Sequence, residues 1–373
     1  MDNYIEIEKY EDIAGLMVPG HIFRHYAFQN IEFRREAIQC RFCDCIFMGC
    51  SLPKEVHRCL DEDCYIFPKM NMPYNIFRAQ LYSPEELYNG YNPAIPESHS
   101  SCYDARVYAH YISKGKQARD IAETLARTLH DHSISDALHD MLSHYDERSV
   151  VAVMGGHALL RTEKHYRSVA IMGKHLTERG AIMVTGGGPG AMEATHLGAW
   201  LAGRPDEALD EALNILTTAP SYKDNGWLES SFEVMERLPR VEDYKSIGIP
   251  TWFYGHEPAT PFATHIAKYF DNSIREDGLL TIAKGGVIYS PGSAGTMQEI
   301  FQDAAQNHYL TCGYASPMVF FGSRYWREKF PVYSMLKNLH CNGCYKNLLL
   351  SLTDDPDEAV DTIMDFVTEG RIY

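Results

Sequence analysis

The chain has no excess of positive charge, no long apolar run and no basic, apolar leader. Its 373 residues carry 34 Lys and Arg against 50 Asp and Glu, a formal net charge of −16. That is the wrong sign for a surface that wraps nucleic acid or clings to anionic lipid. No apolar stretch approaches the roughly 20 residues that cross a bilayer, and the opening MDNYIEIEKYEDIAG is acidic where a secretory signal is basic and then apolar. Neither nucleic acid nor membrane is expected as a partner, a cytoplasmic setting is, and a small molecule becomes the expected ligand. There is no Walker loop, no G-x-S-x-G elbow, no HExxH pair and no lysine placed for pyridoxal phosphate. No metal and no cofactor is expected.

Cysteine is present ten times, yet without a secretion signal the thiols are expected to be reduced. Cys40 and Cys43 form a CxxC followed by Cys45, Cys50, Cys59 and Cys64, and a second CxxC, Cys341 and Cys344, follows His340. Zinc can use such spacing. The run CDCIFMGC alternates around an apolar middle, however, and reads as a buried strand in which cysteine acts as a small hydrophobe.

Hydrophobic residues make up 45% and charged residues 23%, ordinary for a globular chain whose length suggests two domains. Residues 1–148 read as an α/β accessory domain. It opens in βαβ style with strands at DCIFMGC and CYIFP around a short helix at LPKEVHRCLDED, passes a surface loop at 92–101, and ends helically. That helical part carries Ile121, Leu125, Leu129, Ala137, Leu138, Met141 and Leu142 at helical spacing. Residues 149–373 alternate: VVAVM strand, 163–179 helix, AIMVT strand, AMEATHLGAWLAG helix, LNILTTA and IPTWFYGH strands, 261–283 helix, GGVIYS strand, TMQEIFQDAAQNHY helix, and a closing strand at SPMVFFG. This predicts a doubly wound parallel sheet of Rossmann type. No internal repeat is strong enough to assert.

Three glycine-rich loops follow strands in the second domain: Gly155-Gly156-His157, Gly186-Gly187-Gly188-Pro189-Gly190 and Gly292-Ser293-Ala294-Gly295-Thr296. In a parallel sheet all three lie at the carboxyl edge, and the last two open helices whose N-termini suit a phosphate. Gly186, Gly188 and Ala191 also satisfy GxGxxA with Asp206 twenty residues on, but Asp206 falls in GRPDEALDEAL and not at a strand tip, so NAD is discounted.

GGGPGAMEA (186–194) and PGSAGTMQE (291–299) resemble the paired motifs of the LOG (Lonely Guy) phosphoribohydrolases, often mislabelled lysine decarboxylases, and GPGAMEA is closer still to the nucleotide 5′-monophosphate nucleosidases of that superfamily. The resemblance covers roughly residues 149–330. It implies hydrolysis of the N-glycosidic bond of a nucleoside 5′-monophosphate to free base and ribose 5-phosphate, by a homodimer or larger assembly. It also implies that Gly155, Gly156, Gly186 to Gly190, Met192, Glu193 and Gly292 to Thr296 hold the nucleotide and that Glu299 is the catalytic acid. The family's arginine matches Arg275 if one residue is inserted, and Glu276 takes the place otherwise; a guanidinium suits phosphate or ribose oxygens where a second acid does not. Two departures stand out. Ser293 replaces the second glycine of PGG, at a cost on the order of 1 kcal/mol if the position needs positive φ, and His157 stands where a serine usually follows the first strand. The alternative reading is a carrier or sensor on the same fold.

Other groupings carry less. His130 and His132 would point about 200° apart on a helix and cannot share a metal, so His130-Asp131-His132 reads as a solvated face. His256-Glu257 and Asn272 lie where they can touch substrate, and Trp252, Phe253 and Tyr254 read as core and pocket wall.

Overall fold

A computed structural model describes residues 4–241 and 243–369. They form two compact units that interleave along the chain: 4–80 with 110–138, and 81–109 with the described residues from 139 onward. A single cut after residue 148 does not describe this interleaving.

The first unit holds six short parallel strands, β1 (Ile5–Ile7), β2 (Ile22–Arg24), β3 (Tyr26–Gln29), β4 (Arg41–Cys43), β5 (Ile46–Met48) and β6 (Tyr65–Phe67), with the short helix α1 (Tyr10–Ala14) after β1. They pair as β1-β3-β5-β6 and β2-β4. The register matches Phe23 to Phe42, Phe28 to Phe47, Glu32 to Ser51 and Phe47 to Ile66, each nineteen residues apart. The unit is therefore a short parallel β-solenoid and does contain a repeat, contrary to the expectation from sequence. Its connectors Arg35–Gln39 and Lys54–Cys59 are 3₁₀ turns, the second where the sequence suggested the short helix of a βαβ crossover. Inside, Phe23 stacks on Phe42 and Phe28 on Phe47, both with centroids 5.1 Å apart. The Cys45, Cys50 and Cys64 thiols donate to the carbonyls of Phe23, Phe28 and Phe42 at 3.5, 3.2 and 3.3 Å, one rung back in each case. All ten cysteines are free, and burial pushes Cys45 up to about 12 and Cys50 up to about 11.

Helices α2 (Pro84–Leu87), α3 (Tyr103–Lys114) and α4 (Ile121–Leu142) follow. The apolar spacing placed Ala137 and Leu138 on the inner face of α4, where they are buried, but failed in its first half: Ile121 and Leu125 are 82% and 50% exposed, while Glu123, Arg127, His130 and Asp131 are buried. Pairing permits this. Arg127 donates from Nε to Glu123 at 2.8 Å, His110 lies 2.9 Å from the same carboxylate, and His130 Nδ1 sits 2.9 Å from Asp131, so this pair is not the solvated face expected of it.

The second unit is a seven-stranded parallel sheet in the order β10-β9-β8-β7-β11-β12-β13. Its strands are β7 (Val150–Met154), β8 (Ile182–Thr185), β9 (Ser246–Gly248), β10 (His265–Ile266), β11 (Gly286–Tyr289), β12 (Pro317–Phe321) and β13 (Leu349–Thr353). Around them lie α5 (Lys164–Glu178), α6 (Ala191–Trp200), α7 (Glu207–Leu216), α8 (Trp227–Arg237), α9 (Asn272–Ile282), α10 (Ala294–Tyr309), α11 (Val332–Cys341) and α12 (Pro356–Glu369). This is a Rossmann-like, doubly wound α/β fold, with the strand order reversing at β7. Residues 81–109 belong to it: Tyr82 and Ile266 exchange backbone hydrogen bonds at 3.0 and 2.8 Å, and buried Asp104 receives both Trp252 Nε1 (2.9 Å) and Lys268 Nζ (2.6 Å).

Four elements differ from expectation. LNILTTA is the end of α7, because Ala208, Leu209, Ala212 and Leu216 are buried at helical and not alternating spacing. The expected strand at IPTWFYGH is a turn, Trp252–Tyr254, capped by the Phe253 N–H donating to Thr251 Oγ1, and the strand lies just before it as β9. The 261–283 segment becomes helical only from Asn272, after β10. SPMVFFG does not close the sheet; β13 and α12 follow it. Among the described residues no helix is long and apolar enough to cross a membrane.

Beneath α10 the Tyr289 hydroxyl donates to Asp303 Oδ2 at 2.6 Å, both groups being buried, and burial raises the carboxyl to about 7. An unfolded Asp ionises near about 4. Between those values the folded state keeps a proton that the unfolded state has lost, so stability falls as pH rises through the interval and levels off above it. Asp303→Asn retains an acceptor for Tyr289 without the titration. The drop in melting temperature between pH 5 and pH 8 is expected to shrink in this variant.

Candidate functional site

Strands β7, β8 and β11 run parallel, so their following loops gather at one sheet edge, and the reversal between β7 and β11 opens a crevice there. The loops are laced together: Gly156 N–H donates to Pro291 O at 3.0 Å and Ala191 N–H to Gly156 O at 3.2 Å. One glycine is required by this closeness: Gly190 has φ +72° and a side chain there would sit 2.4 Å from Gly156 O. A side chain on Gly186 would sit 2.1 Å from Arg275 Nη2 and displace the guanidinium.

The loop Gly186–Gly190 is buried, covered by Arg275 and by the Met192 thioether, which lies under both Gly186 and Gly188. A hydrogen-bonded chain holds it from beneath. Gly187 N–H donates to Thr185 Oγ1 at 2.9 Å, Thr185 Oγ1 lies 2.8 Å from His196 Nε2, and His196 Nδ1 lies 2.9 Å from Ser246 Oγ. Burial holds His196 down to about 3, so the ring is neutral. Neither Thr185 nor His196 stood out in the sequence.

Arg275, in the first turn of α9, donates from Nε to Ile249 O at 2.7 Å and from Nη2 to Gly186 O at 3.3 Å. Glu276 instead accepts from Asn272 Nδ2 at 2.7 Å and Gln298 Nε2 at 3.0 Å. The arginine, not the acid, therefore stands over the loop. Glu299 lies in the second turn of α10. Burial raises its carboxyl above the ordinary range, the positive charge of Arg275 acts against that, and the charge of Glu276 adds to it.

Ser293 has φ −114°, an ordinary backbone for an L-residue, so the strain considered for a serine at this position is absent. Ser293, Ala294 and Gly295 are exposed, which leaves the unsatisfied first-turn N–H groups of α10 open to the crevice. Thr296 is buried against Gly292. Glu193 goes elsewhere: it is fully buried and paired with Arg161. Asp206 precedes α7 and binds Lys174 Nζ at 2.9 Å, far in sequence from a strand tip.

On the other side of the Gly292 loop the crevice widens into a cavity of about 880 Å³, lined among others by Gly156, His157, Leu159, Gly292, Ser293 and Tyr325. Tyr325 belongs to a π-helical turn, Tyr325–Lys329, after β12, and its hydroxyl donates to Gly292 O. Such turns recur at functional sites. The sequence reading missed this wall because it took SPMVFFG as the last strand and read no element beyond it, although a glycine, Gly322, marks the loop. His157 Nδ1 lies 3.5 Å from Glu257 Oε1, and His256 lies 3.9 Å from the same oxygen. Trp252 is core, stacked on Phe270 at 4.4 Å.

No protein-family model and no curated protein matches the chain. Similar solved structures include the molybdenum cofactor binding protein of the phototrophic bacterium Rippkaea orientalis, at 13% identity and TM-score 0.37 over 58% of this chain and 96% of that one. The Moco carrier protein of Chlamydomonas reinhardtii aligns at 15% identity and TM-score 0.37 over 59% and 98%, and TM1055 at 18% and 0.37 over 58% and 98%. At these identities and scores the likeness assigns no ligand and no reaction.

Arg161 is also buried, and beyond Glu193 it donates to the carbonyls of Leu216, Ala219 and Trp227 and to the hydroxyls of Ser230 and Ser231. Leaving either charge alone in this setting is expected to cost about 3–5 kcal/mol. Urea denaturation should show losses of that order for Arg161→Met and Glu193→Ala, and a smaller loss for Arg161→Met/Glu193→Leu than the two singles summed.

Proposed function

We propose that the crevice binds a small ligand bearing a phosphate monoester, of nucleoside 5′-monophosphate size, and hydrolyses its N-glycosidic bond. The observation that carries this reading is that Arg275 stands over the Gly186 loop, close enough for its charge to act on the Glu299 carboxyl, while the first turn of α10 lies exposed. The first-turn N–H groups of α10 receive the phosphate. Arg275, steadied by two backbone carbonyls, turns its remaining N–H groups to phosphate or ribose oxygens. Breaking the bond to the base builds positive charge on the ribose, which the Glu299 carboxylate stabilises while activating water.

A second reading, binding without turnover, is favoured by the burial of Gly186–Gly190 and by the commitment of Arg275 to Ile249 and Gly186.

Incubation with AMP, GMP, CMP and UMP, with free base and ribose 5-phosphate followed by chromatography, separates the two. Hydrolysis predicts base release that Glu299→Gln lowers by about 10²-fold or more. Because the carboxyl is raised and its ionised form is the active one, the rate should fall as pH drops through a limb above the usual carboxylate range. Glu276→Gln should move that limb down. Thermal stabilisation by nucleotide without any base release would leave the carrier reading.

A further inference from the structure

Hydrolysis of an N-glycosidic bond to an unactivated base needs a proton at the departing nitrogen, and neither Arg275 nor the ionised Glu299 supplies one. His157 is placed to do so. It follows the Gly155-Gly156 turn at the end of β7, lines the cavity, and keeps its side chain 44% exposed. Its Nδ1 faces Glu257 Oε1 at 3.5 Å, and among the described residues none hydrogen-bonds Nε2 on the far side of the ring. Glu257 is largely buried, and its other oxygen lies 3.8 Å from where a side chain on Gly188 would stand, so the pair bridges the first and second glycine loops. Of the other groups lining the cavity, Glu163 accepts the Leu160 N–H at 3.0 Å, Glu328 accepts from Arg324 Nε at 3.3 Å and the Tyr325 hydroxyl donates to Gly292 O. The His165 ring packs on Phe321 with centroids 5.6 Å apart, as His157 packs on Tyr222 at 6.0 Å, so what singles out His157 is the carboxylate facing its Nδ1.

We propose that the cavity receives the base of the nucleotide and that His157 is the general acid of its departure, with Glu257 as the residue that positions the ring. This rests on the hydrolytic reading above. The C1′–N bond breaks and its electron pair stays on the base nitrogen, which takes the proton from His157 Nε2. The oxygen of water bonds to C1′ and gives its proton to the Glu299 carboxylate. The products are the protonated base and ribose 5-phosphate, and exchange with solvent returns the proton from Glu299 to His157. The cavity, at about 880 Å³, is within the range of small-ligand pockets.

The test compares AMP with p-nitrophenyl β-D-ribofuranoside 5-phosphate, whose leaving group departs without a proton. His157→Gln is expected to lower kcat on AMP by about 10²-fold or more and to leave turnover of the p-nitrophenyl substrate close to wild type. Glu257→Gln should show the same selectivity to a smaller degree, with KM unchanged, and His165→Gln should not show it. An equal loss on both substrates, no loss on either, or the selectivity appearing in His165→Gln instead would overturn the assignment while hydrolysis stands. A wild-type protein that cleaves neither substrate would sink the hydrolytic reading itself, and the general acid with it.

Discussion

The buried ion pair of Arg161 and Glu193 is the constraint on which the crevice depends. Arg161 ends the loop that begins with Gly155, and Glu193 stands three residues into the helix side of the loop that ends with Gly190. Joining them fixes those two loops against each other, and the further donations of the guanidinium bring in the end of α7 and the start of α8. Two charges taken out of water are expensive, and their mutual attraction offsets the cost only with good geometry and filled hydrogen bonds. Here the guanidinium has acceptors on every side, so the pair selects one arrangement of these segments over looser ones.

With the loops fixed, the chemistry divides by position. The middle loop, Gly186–Gly190, is a buried floor held from beneath by Thr185 and His196 and used from above by Arg275. The Gly292 loop presents the open helix end, with Glu299 one turn further in. The first loop carries His157 into the cavity. Each glycine-rich stretch thus does something different, although composition alone made them look equivalent.

That division explains how much could be read from the sequence. The strands before the three loops and their common sheet edge follow from continuous apolar runs and parallel alternation, and the place of Arg275 over the Gly186 loop follows from one motif pair, all local signals. What escaped was non-local or compensated. The solenoid rungs have strands of three or four residues, too short for periodicity, and the repeat shows only when Phe23 and Phe42, or Phe28 and Phe47, are set side by side. The inner face of α4 is polar because Glu123 pairs with Arg127 and His110, which no single-helix apolar pattern reveals. Glu193 sits inside the GGGPGAMEA motif and yet serves Arg161, since its partner lies 32 residues earlier. Ser293 was a concern only while the backbone angle at its position was unknown.

The nineteen-residue rung of the first unit also sets the terms on which that unit can change. A ring stacks on the ring one rung away and a thiol donates to a carbonyl one rung back, so every contact of this kind is with a neighbour in the stack. Loss or gain of a whole rung preserves all those pairings elsewhere, whereas loss of a single residue within a strand turns its inward phenylalanine to solvent. The size of the unit is therefore a stepped quantity: its core tolerates length variation in multiples of one coil and resists anything smaller.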